Sequence, residues 1–597
     1  MTTPGAGRRA SLILLAALAV ACGSSGRTDD RWMPGQPLKL DVSATFVAGT
    51  TLRDAYTDST ATVASDGTVT VTPGAGGVVL LEADGAAPTP FRWKNAIVYF
   101  VMTDRFANGD PANDASYGRT KDGGDEVGTW HGGDLVGLVG KLDHVASLGA
   151  DAIWLSPVVE QVHGWASGGS GDFKHYGYHG YWALDFTRLD ANLGTPAELQ
   201  AFVDQAHGRG IRVLLDVVLN HPGYATGDDL LTYLPEAFLD GTGAAFQSFT
   251  PQPPRYWAAW NDLVNYNSNA WVSWWGTSWI RAGFPGHQAP GTTDQTKQLA
   301  FLPDFITEGA TSVALPPLLS TSPHAKADTG ATTQAGFTVR DYLVRWHTDW
   351  VRQYGFDGFR CDTVKNVELA SWKALKDAAV VALAEWKTAN PGKKIDDAPF
   401  WMLGEVFPHG VQKDAYYTEG GFDALLNFTF QVPLEGLLRD RASLADAAAD
   451  LEAVWAPWAA SLSADPSFDA VTYLSSHDTK LFYDAVGYDG KKMRQAATAL
   501  LLTPGAVQIF YGDESGRHLG PTASDALQGT RSDMNWTTID AALLAHWQKL
   551  GAFRKRHAAV GAGAHAMIPS PKGTYAFSRE LSDATNDAVV VAILPLP

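Results

Sequence analysis

Only two cysteines, Cys22 and Cys361, occur in 597 residues. A disulfide-stapled scaffold is excluded, and if Cys22 is consumed by a covalent modification no intramolecular disulfide remains possible. Positive charge is also scarce. Lys and Arg number 45 against 64 Asp and Glu, a net charge of −19, and no long basic run is present. Such a surface disfavours nucleic acid and anionic lipid and suits a neutral ligand. The N-terminal apolar run, Leu12 to Ala21, is too short to span a bilayer. Tryptophan, by contrast, is plentiful at 21 residues. Its flat rings fill cores and equally stack on sugar faces.

Arg8 and Arg9 precede the apolar run, which closes on Leu18-Ala19-Val20-Ala21-Cys22. Charge, then a short apolar core, then small residues is the order of a targeting segment. It resembles a bacterial lipoprotein signal, in which Cys22 becomes the lipidated first residue; an ordinary cleaved signal is the alternative. Residues 1–22 are read as the signal and 23–36 as a polar tether. The expected location is extracytoplasmic, with the membrane touched only through the anchor at Cys22.

Residues 37–90 read as all-β. Val69-Thr70-Val71-Thr72 alternates, Val78 to Leu81 is an apolar run, and Gly, Pro and Asp clusters separate the pieces. No catalytic constellation lies there. From Trp93 the pattern becomes strand, loop, helix, repeatedly. Eight strands are expected: Ala96 to Val101, Ala152 to Leu155, Ile211 to Val218, Phe356 to Cys361, Phe400 to Leu403, Leu425 to Phe430, Val471 to Leu474 and Val507 to Tyr511. Near-continuous apolar runs mark strands buried on both faces. Thr195-Pro196-Ala197-Glu198 is a capping box with Pro at the first helical position. Arg340 to Gln353, Ser371 to Trp386 and Leu444 to Ala460 read as further helices. The expected fold is α/β, a (β/α)8 barrel with its active site at the carboxyl ends of the strands. The barrel is assigned to 91–221 and 337–558, with an unusually long excursion, 222–336, after the third strand.

Acidic residues and histidines sit at four strand ends. They are Asp216-Val217-Val218-Leu219-Asn220-His221, Arg360-Cys361-Asp362, Gly404-Glu405, and Ser476-His477-Asp478. Burying several carboxylates together is costly unless they are paired or used. Arg360 and Asp362 alternate onto one side of their strand, so the arginine favours the ionised aspartate.

These motifs, in this order, resemble the α-amylase family, glycoside hydrolase family 13, over about residues 93–597. Leu302-Pro303-Asp304-Phe305, Tyr178-His179-Gly180-Tyr181-Trp182 and Ile509-Phe510-Tyr511-Gly512-Asp513-Glu514 extend the resemblance. It implies Asp362 as nucleophile, Glu405 as general acid/base and Asp478 as stabiliser of the charged transition state. His221 and His477 are implied as hydroxyl-binding residues, Tyr181 as the ring under the sugar with His179 and Trp182 beside it, and Lys365 on the product side. Arg360 completes the substrate set. The family's histidine after that lysine is Asn366 here. Two calcium sites are implied: Asn220 with Asp304, and a second from Asn108, Asp110, Asn113, Asp114, Gly132 and Asp134. Hard oxygen donors on Gly-rich turns suit Ca²⁺.

The family's members end in a β-sandwich, yet only residues 559–597 remain here. Thr574 to Arg579 and Ala588 to Ile593 resemble its first hairpin, while Gly49 to Tyr56, Gly67 to Val71 and Gly76 to Glu82 resemble its closing strands. A circularly permuted sandwich is therefore expected; an independent N-terminal module is the alternative. The expected activity is retaining endo-hydrolysis of α-1,4-glucans by a monomer. The alternatives are a transglycosylase or cyclomaltodextrinase of the same family, and a non-catalytic glucan-binding lipoprotein.

Overall fold

The computed structural model describes residues 31–119, 127–281, 290–320, 325–441 and 443–596. The signal with Cys22 and most of the tether lie outside the described residues. Eight parallel strands close into a barrel: Ile97–Val101, Ala152–Leu155, Arg212–Val217, Gly358–Cys361, Trp401–Gly404, Ala424–Asn427, Asp469–Tyr473 and Ala506–Phe510. The eighth closes on the first through Val507 opposite Ile97. Every residue of these strands is buried, so helices outside and packed side chains inside exclude water from both faces. All eight expected strands are present. The sixth stops at Asn427 rather than Phe430, because Asn427 Oδ1 accepts from both the amide and the hydroxyl of Thr429 and turns the chain.

The helices start and stop where local chemistry requires. Pro196–Gly208 opens on the Thr195/Glu198 capping box. Val339–Tyr354 opens on a second, Thr338 with Asp341, and ends at Gly355, where φ is 83°. A Cβ at Gly355 would lie 2.3 Å from the Trp386 ring, so the position demands glycine on two counts. The stretch from Leu444 begins as a 3-10 turn, Leu444–Ala447, and becomes α-helical only over Ala448–Ala464.

The excursion has little regular structure and is held by aromatics and one buried cation. Trp271, Trp274, Trp275 and Trp279 are all buried. Trp279 stacks on Trp346 of helix Val339–Tyr354 at 5.5 Å with planes 5° apart. These four are core, not groove. Lys326 reaches from the excursion to Glu160, with Nζ 2.8 Å from Oε2, and also meets Asp328 and Asp185.

The two chain ends meet in one sheet. Its strand order is Ala564–Ile568, Tyr575–Glu580, Ala588–Ile593, Val78–Ala83, Thr51–Asp54, Thr60–Thr62. C-terminal and N-terminal segments join antiparallel, Val590 opposite Leu81 and Ile593 opposite Val78. Alternation sorts the faces. Val78, Leu80, Val589 and Val591 pack into the barrel-side core, while Val79, Leu81, Val590 and Ala592 pack under a ribbon of Leu38–Asp41 and Thr68–Val71.

Candidate active site

At the carboxyl end of the barrel one guanidinium gathers three carboxylates. Arg360 Nη1 donates to Asp216 Oδ1 and Oδ2 at 2.9 and 3.0 Å and to Asp362 Oδ1 at 2.9 Å. Its Nη2 donates to Glu405 Oε2 at 2.7 Å. Adjacent parallel strands bring these together, since Asp216 is paired with Arg360 in register and Arg360 with Leu403, two residues before Glu405. The Arg360 side chain is 1% exposed. Asp216 is fully engaged by protein, taking further hydrogen bonds from Trp154 Nε1 at 3.0 Å and Tyr181 Oη at 2.8 Å. Asp362 and Glu405 are less enclosed than Asp216, with side chains 9% and 17% exposed against 0%.

A single cation among three buried acids leaves them unequal. Burial pushes Asp362 up to about 6, against Arg360, with Asp216 and Asp478 adding to the rise. Glu405 goes further, to about 7, raised by burial and by the negative charges of Asp362 and Asp478 against the pull of Arg360. Asp478 behaves oppositely. Burial acts to raise it, but His477, Arg531 and Arg360 hold it well below the usual carboxylate range. Arg531 Nη2 donates to Asp478 Oδ1 at 2.9 Å, and His477 Nε2 lies 2.9 Å from Oδ2 at ion-pair distance without hydrogen-bond alignment. The site thus has one carboxyl, Glu405, that carries a proton near neutrality, beside the charged Asp362 and Asp478 that face it and the Asp216 held by Arg360.

The motifs and this geometry agree with what is known of similar chains. The model described as alpha amylase, catalytic domain, matches residues 100–273 and 333–534. The periplasmic alpha-amylase of Escherichia coli (strain K12) is 49% identical over 564 residues, spanning 92% of this chain and 80% of that protein. The chain belongs to the alpha-amylase family. A cyclomaltodextrinase from a Bacillus species is 26% identical, over 84% of this chain and 73% of that one. Among solved structures, an Anoxybacillus alpha-amylase superposes with a TM-score of 0.55 at 24% identity, over 83% of this chain and 86% of that chain. That last likeness speaks for the fold.

The other expected residues of this family member divide by where their polar atoms point. Tyr181 stacks on His477 at 5.4 Å, planes 11° apart, beside the carboxylates. His179 Nδ1 accepts from the Tyr181 amide, and its ring sits edge-on to Trp182 at 4.6 Å. His221 has both nitrogens engaged within the protein. Burial lowers it to about 4, so it is neutral; Nδ1 accepts from Asn220 Nδ2 at 3.1 Å and Nε2 donates to the Tyr181 carbonyl at 3.2 Å. It positions Tyr181. Lys365 is half-buried on the turn Val364–Asn366 and makes no hydrogen bond or ion pair among the described residues. Asn366, at the family's histidine position, donates Nδ2 to the Asp294 carbonyl at 2.7 Å and ties the excursion to the fourth strand's loop.

Three residues that shape the site were missed from sequence. Asp216 was read only as a motif position, yet it takes the largest share of Arg360. Arg531 lies in the long loop after strand eight, with no motif around it. Thr363, directly after Asp362, has φ 47° and turns its amide onto Glu405 Oε2 at 3.2 Å. No local signal marks the last two.

No three His, Cys, Asp or Glu side chains form a metal cluster among the described residues. Calcium would therefore need amide and backbone oxygens, and these are present. Asn220 Oδ1 is buried without a hydrogen-bond partner, and burial pushes the nearby Asp304 up to about 7. Arg281 already shares Asp304, Nε to Oδ2 at 2.5 Å. In the second set Asn108 Nδ2 donates to Asp114 Oδ1 at 2.8 Å, and Asn113 Oδ1 is buried without a partner. Gly132, at φ 89°, leaves a cradle there, for a Cβ would come within 2.3 Å of Asp114 Oδ1. Asp134 spends its oxygens on the amides of Gly109, Asp110 and Gly137, fixing the loop and capping a helix. Asp110 accepts from the Ala112 amide. Both sets fit a hard cation in donor chemistry.

Proposed function

We propose that this chain is a retaining endo-hydrolase of α-1,4-glucosidic bonds in starch-like glucans. The observation that carries it is the Arg360 guanidinium shared by Asp216, Asp362 and Glu405. Retaining hydrolysis needs one ionised carboxylate to attack the anomeric carbon and one protonated carboxyl to protect the leaving oxygen from departing as an anion. Asp362, charged at neutral pH, is the nucleophile. Glu405, near 7, gives its proton to the glycosidic oxygen as the C–O bond breaks and a glycosyl ester forms on Asp362. Glu405 then takes a proton from water, which attacks the anomeric carbon and releases Asp362. Asp478, held ionised by Arg531 and His477, faces the positive charge that develops on the sugar. Asp216 and Trp154 fix Arg360, and Tyr181 supplies the ring beneath the sugar.

Calcium, when bound, contributes a hard positive charge that orders the loops around it. Asn220 and Asp304 would hold it between barrel and excursion, and Asn108, Asn113, Asp114 and Gly132 at the first strand's loop, with Asp110 and Asp134 shaping that loop.

The extracytoplasmic location and the anchor at Cys22 are part of the same reading, supported by the signal-like N-terminus and by the name of the periplasmic relative. A monomer is proposed. So is a permuted order of the sandwich, supported by the shared sheet of the two chain ends.

Product analysis on soluble starch tests the function. Linear oligomers are expected. Cyclic or lengthened products would favour the transglycosylase reading, and faster turnover of cyclomaltodextrin than of starch the cyclomaltodextrinase reading, for which the Bacillus cyclomaltodextrinase likeness speaks. Binding without turnover would leave only a glucan-binding protein.

A further inference from the structure

The ion pair that keeps Asp478 charged is itself held from one place. Asp478 lies in the loop after strand seven and Arg531 in the loop after strand eight, so their separation depends on what ties the two loops. The short turn Tyr511 to Arg517, directly after strand eight, reaches into both. On one side Ser475 Oγ donates to Asp513 Oδ1 at 2.5 Å and accepts from the Phe482 amide at 2.9 Å, which closes the loop that carries Asp478. On the other side Arg517 Nη1 donates to the carbonyls of Thr530 and Ser532, both at 3.1 Å, the two residues that flank Arg531. Tyr511 Oη donates to the same Ser532 carbonyl at 2.7 Å. The loops then meet, because Thr530 Oγ1 and Arg531 Nε donate to the His477 carbonyl at 2.9 and 3.2 Å.

The turn is built for this close fit. Gly512 has φ of 90°, and a Cβ there would come within 2.4 Å of Arg517 Nε. Arg517 folds back over the Tyr511 ring at 4.0 Å and donates Nε to the Tyr511 carbonyl at 2.9 Å. Asp513, Arg517, Ser475 and Thr530 are all buried. Burying an acid and a guanidinium is costly, and here both are spent on tying loops. The planar fork suits the task, since it spans carbonyls of three residues in a fixed geometry that a single ammonium cannot copy.

We propose that Asp513 and Arg517 are positioning residues of the hydrolysis, a brace that sets Asp478 and Arg531 at the separation the transition state needs. The inference rests on the hydrolase reading and deepens it. Asp478 acts on positive charge that exists only while the sugar is reacting, so its place matters to the rate more than to the binding of a neutral chain. Such a group must be fixed to within about 0.5 Å by its supports. A shift of about 1 Å, from a change far from the chemistry, costs about 100-fold.

The test uses Asp513→Ala, Asp513→Asn, Ser475→Ala and Arg517→Lys in the full chain, assayed on a maltooligosaccharide. For Asp513→Ala and Arg517→Lys the expected kcat falls about 10- to 100-fold while KM stays within about threefold. Asp513→Asn keeps the accepting oxygen and is expected to recover most of that loss. Ser475→Ala deletes a single hydroxyl, and so reads the same contact should Asp513→Ala fail to fold. Combining it with Asp513→Ala should cost no more kcat than Asp513→Ala alone, because the two form one contact. In a Glu405→Gln background, affinity for a maltooligosaccharide capped by a cationic iminosugar should fall about 10-fold with Asp513→Ala or Ser475→Ala. Affinity for the neutral chain of equal length should hold within about twofold. A lowered melting temperature with kcat unchanged, or equal losses for the cationic and neutral ligands, would overturn the brace. The hydrolase reading is judged separately, by whether the unaltered chain cleaves starch at all.

Discussion

Arg360 serves three acids, and the site's chemistry follows from how little charge that leaves for each. Asp362 near 6 and Glu405 near 7 differ in the direction that a nucleophile and an acid require. Turnover needs Asp362 ionised and Glu405 protonated. The kcat/KM profile is therefore expected to be a bell, rising through an apparent pKa near 6 and falling through one near 7; the two values belong to the coupled pair. A plateau extending well above pH 8 would contradict the assignment of Glu405. Asp362→Asn and Glu405→Gln should each lower kcat by about 10³-fold or more while leaving far-UV circular dichroism and the melting temperature near those of the unaltered chain. Arg360 and Asp362 were legible in sequence because strand alternation puts them on one side. Arg531 was not, since its contact with Asp478 spans 53 residues and depends on loop closure.

At the scale of elements, the barrel strands were readable because burial on both faces forces apolar runs, and the Thr195/Glu198 capping box announced the helix that opens at Pro196. The excursion was not readable. Its tryptophans carry no periodicity, and only packing against Trp346 and Phe305 reveals them as core. Lys326 is equally silent in sequence, yet it is the cation beside Glu160 and Asp185, both buried. Lys326→Met should destabilise the chain by about 3–5 kcal/mol in urea unfolding, because it takes the ammonium from two buried acids and leaves Glu160 with His163 and Asp185 with the amide and hydroxyl of Thr187. A loss below about 1 kcal/mol, the size of a surface pair, would show that the cluster is solvated. The loop at Asn108 to Asp134 carries the calcium prediction. Millimolar Ca²⁺ should raise the melting temperature and a chelator lower it, since a ligand that binds only the native state stabilises by about 2.7 kcal/mol at 100 times its Kd. Asn113→Ala should shrink that shift; an identical shift would remove the loop from the calcium account.

Across the whole molecule, the chain ends are locked to each other by a buried ionic group as well as by the shared sheet. His557, just after the last barrel helix, meets Glu82 of the N-terminal segment through Nε2 and Asp587 of the C-terminal segment through Nδ1, the latter at 2.7 Å. Burial would lower His557, but the hydrogen bonds it donates to Asp587 and Glu82 outweigh that and raise it above its usual value. Burial likewise acts to raise Glu82, and His557 and Arg53 outweigh that and lower it. Stability from the raised histidine is complete below about 6.5 and lost as pH climbs through the folded value; that from the lowered glutamate is present above about 4.5 and lost below. The melting-temperature difference between the unaltered chain and His557→Gln should thus be widest near pH 5–6 and narrow towards pH 9. A difference that grows with pH would mean that His557 is neutral in the fold. The half-sheets at either end of the sequence were legible as strands that could not bury a core alone. The ionic lock between them was not, because 475 residues separate its partners.

The central claim is that Asp362 attacks the sugar while Glu405 protonates the leaving oxygen, and stereochemistry tests it most directly. Proton NMR of the first product released from a maltooligosaccharide, recorded before mutarotation, should show the α-anomer, because two displacements at the same carbon restore the starting configuration. A first product in the β-configuration would mean direct attack by water, and the two-carboxylate mechanism proposed for Asp362 and Glu405 would be wrong.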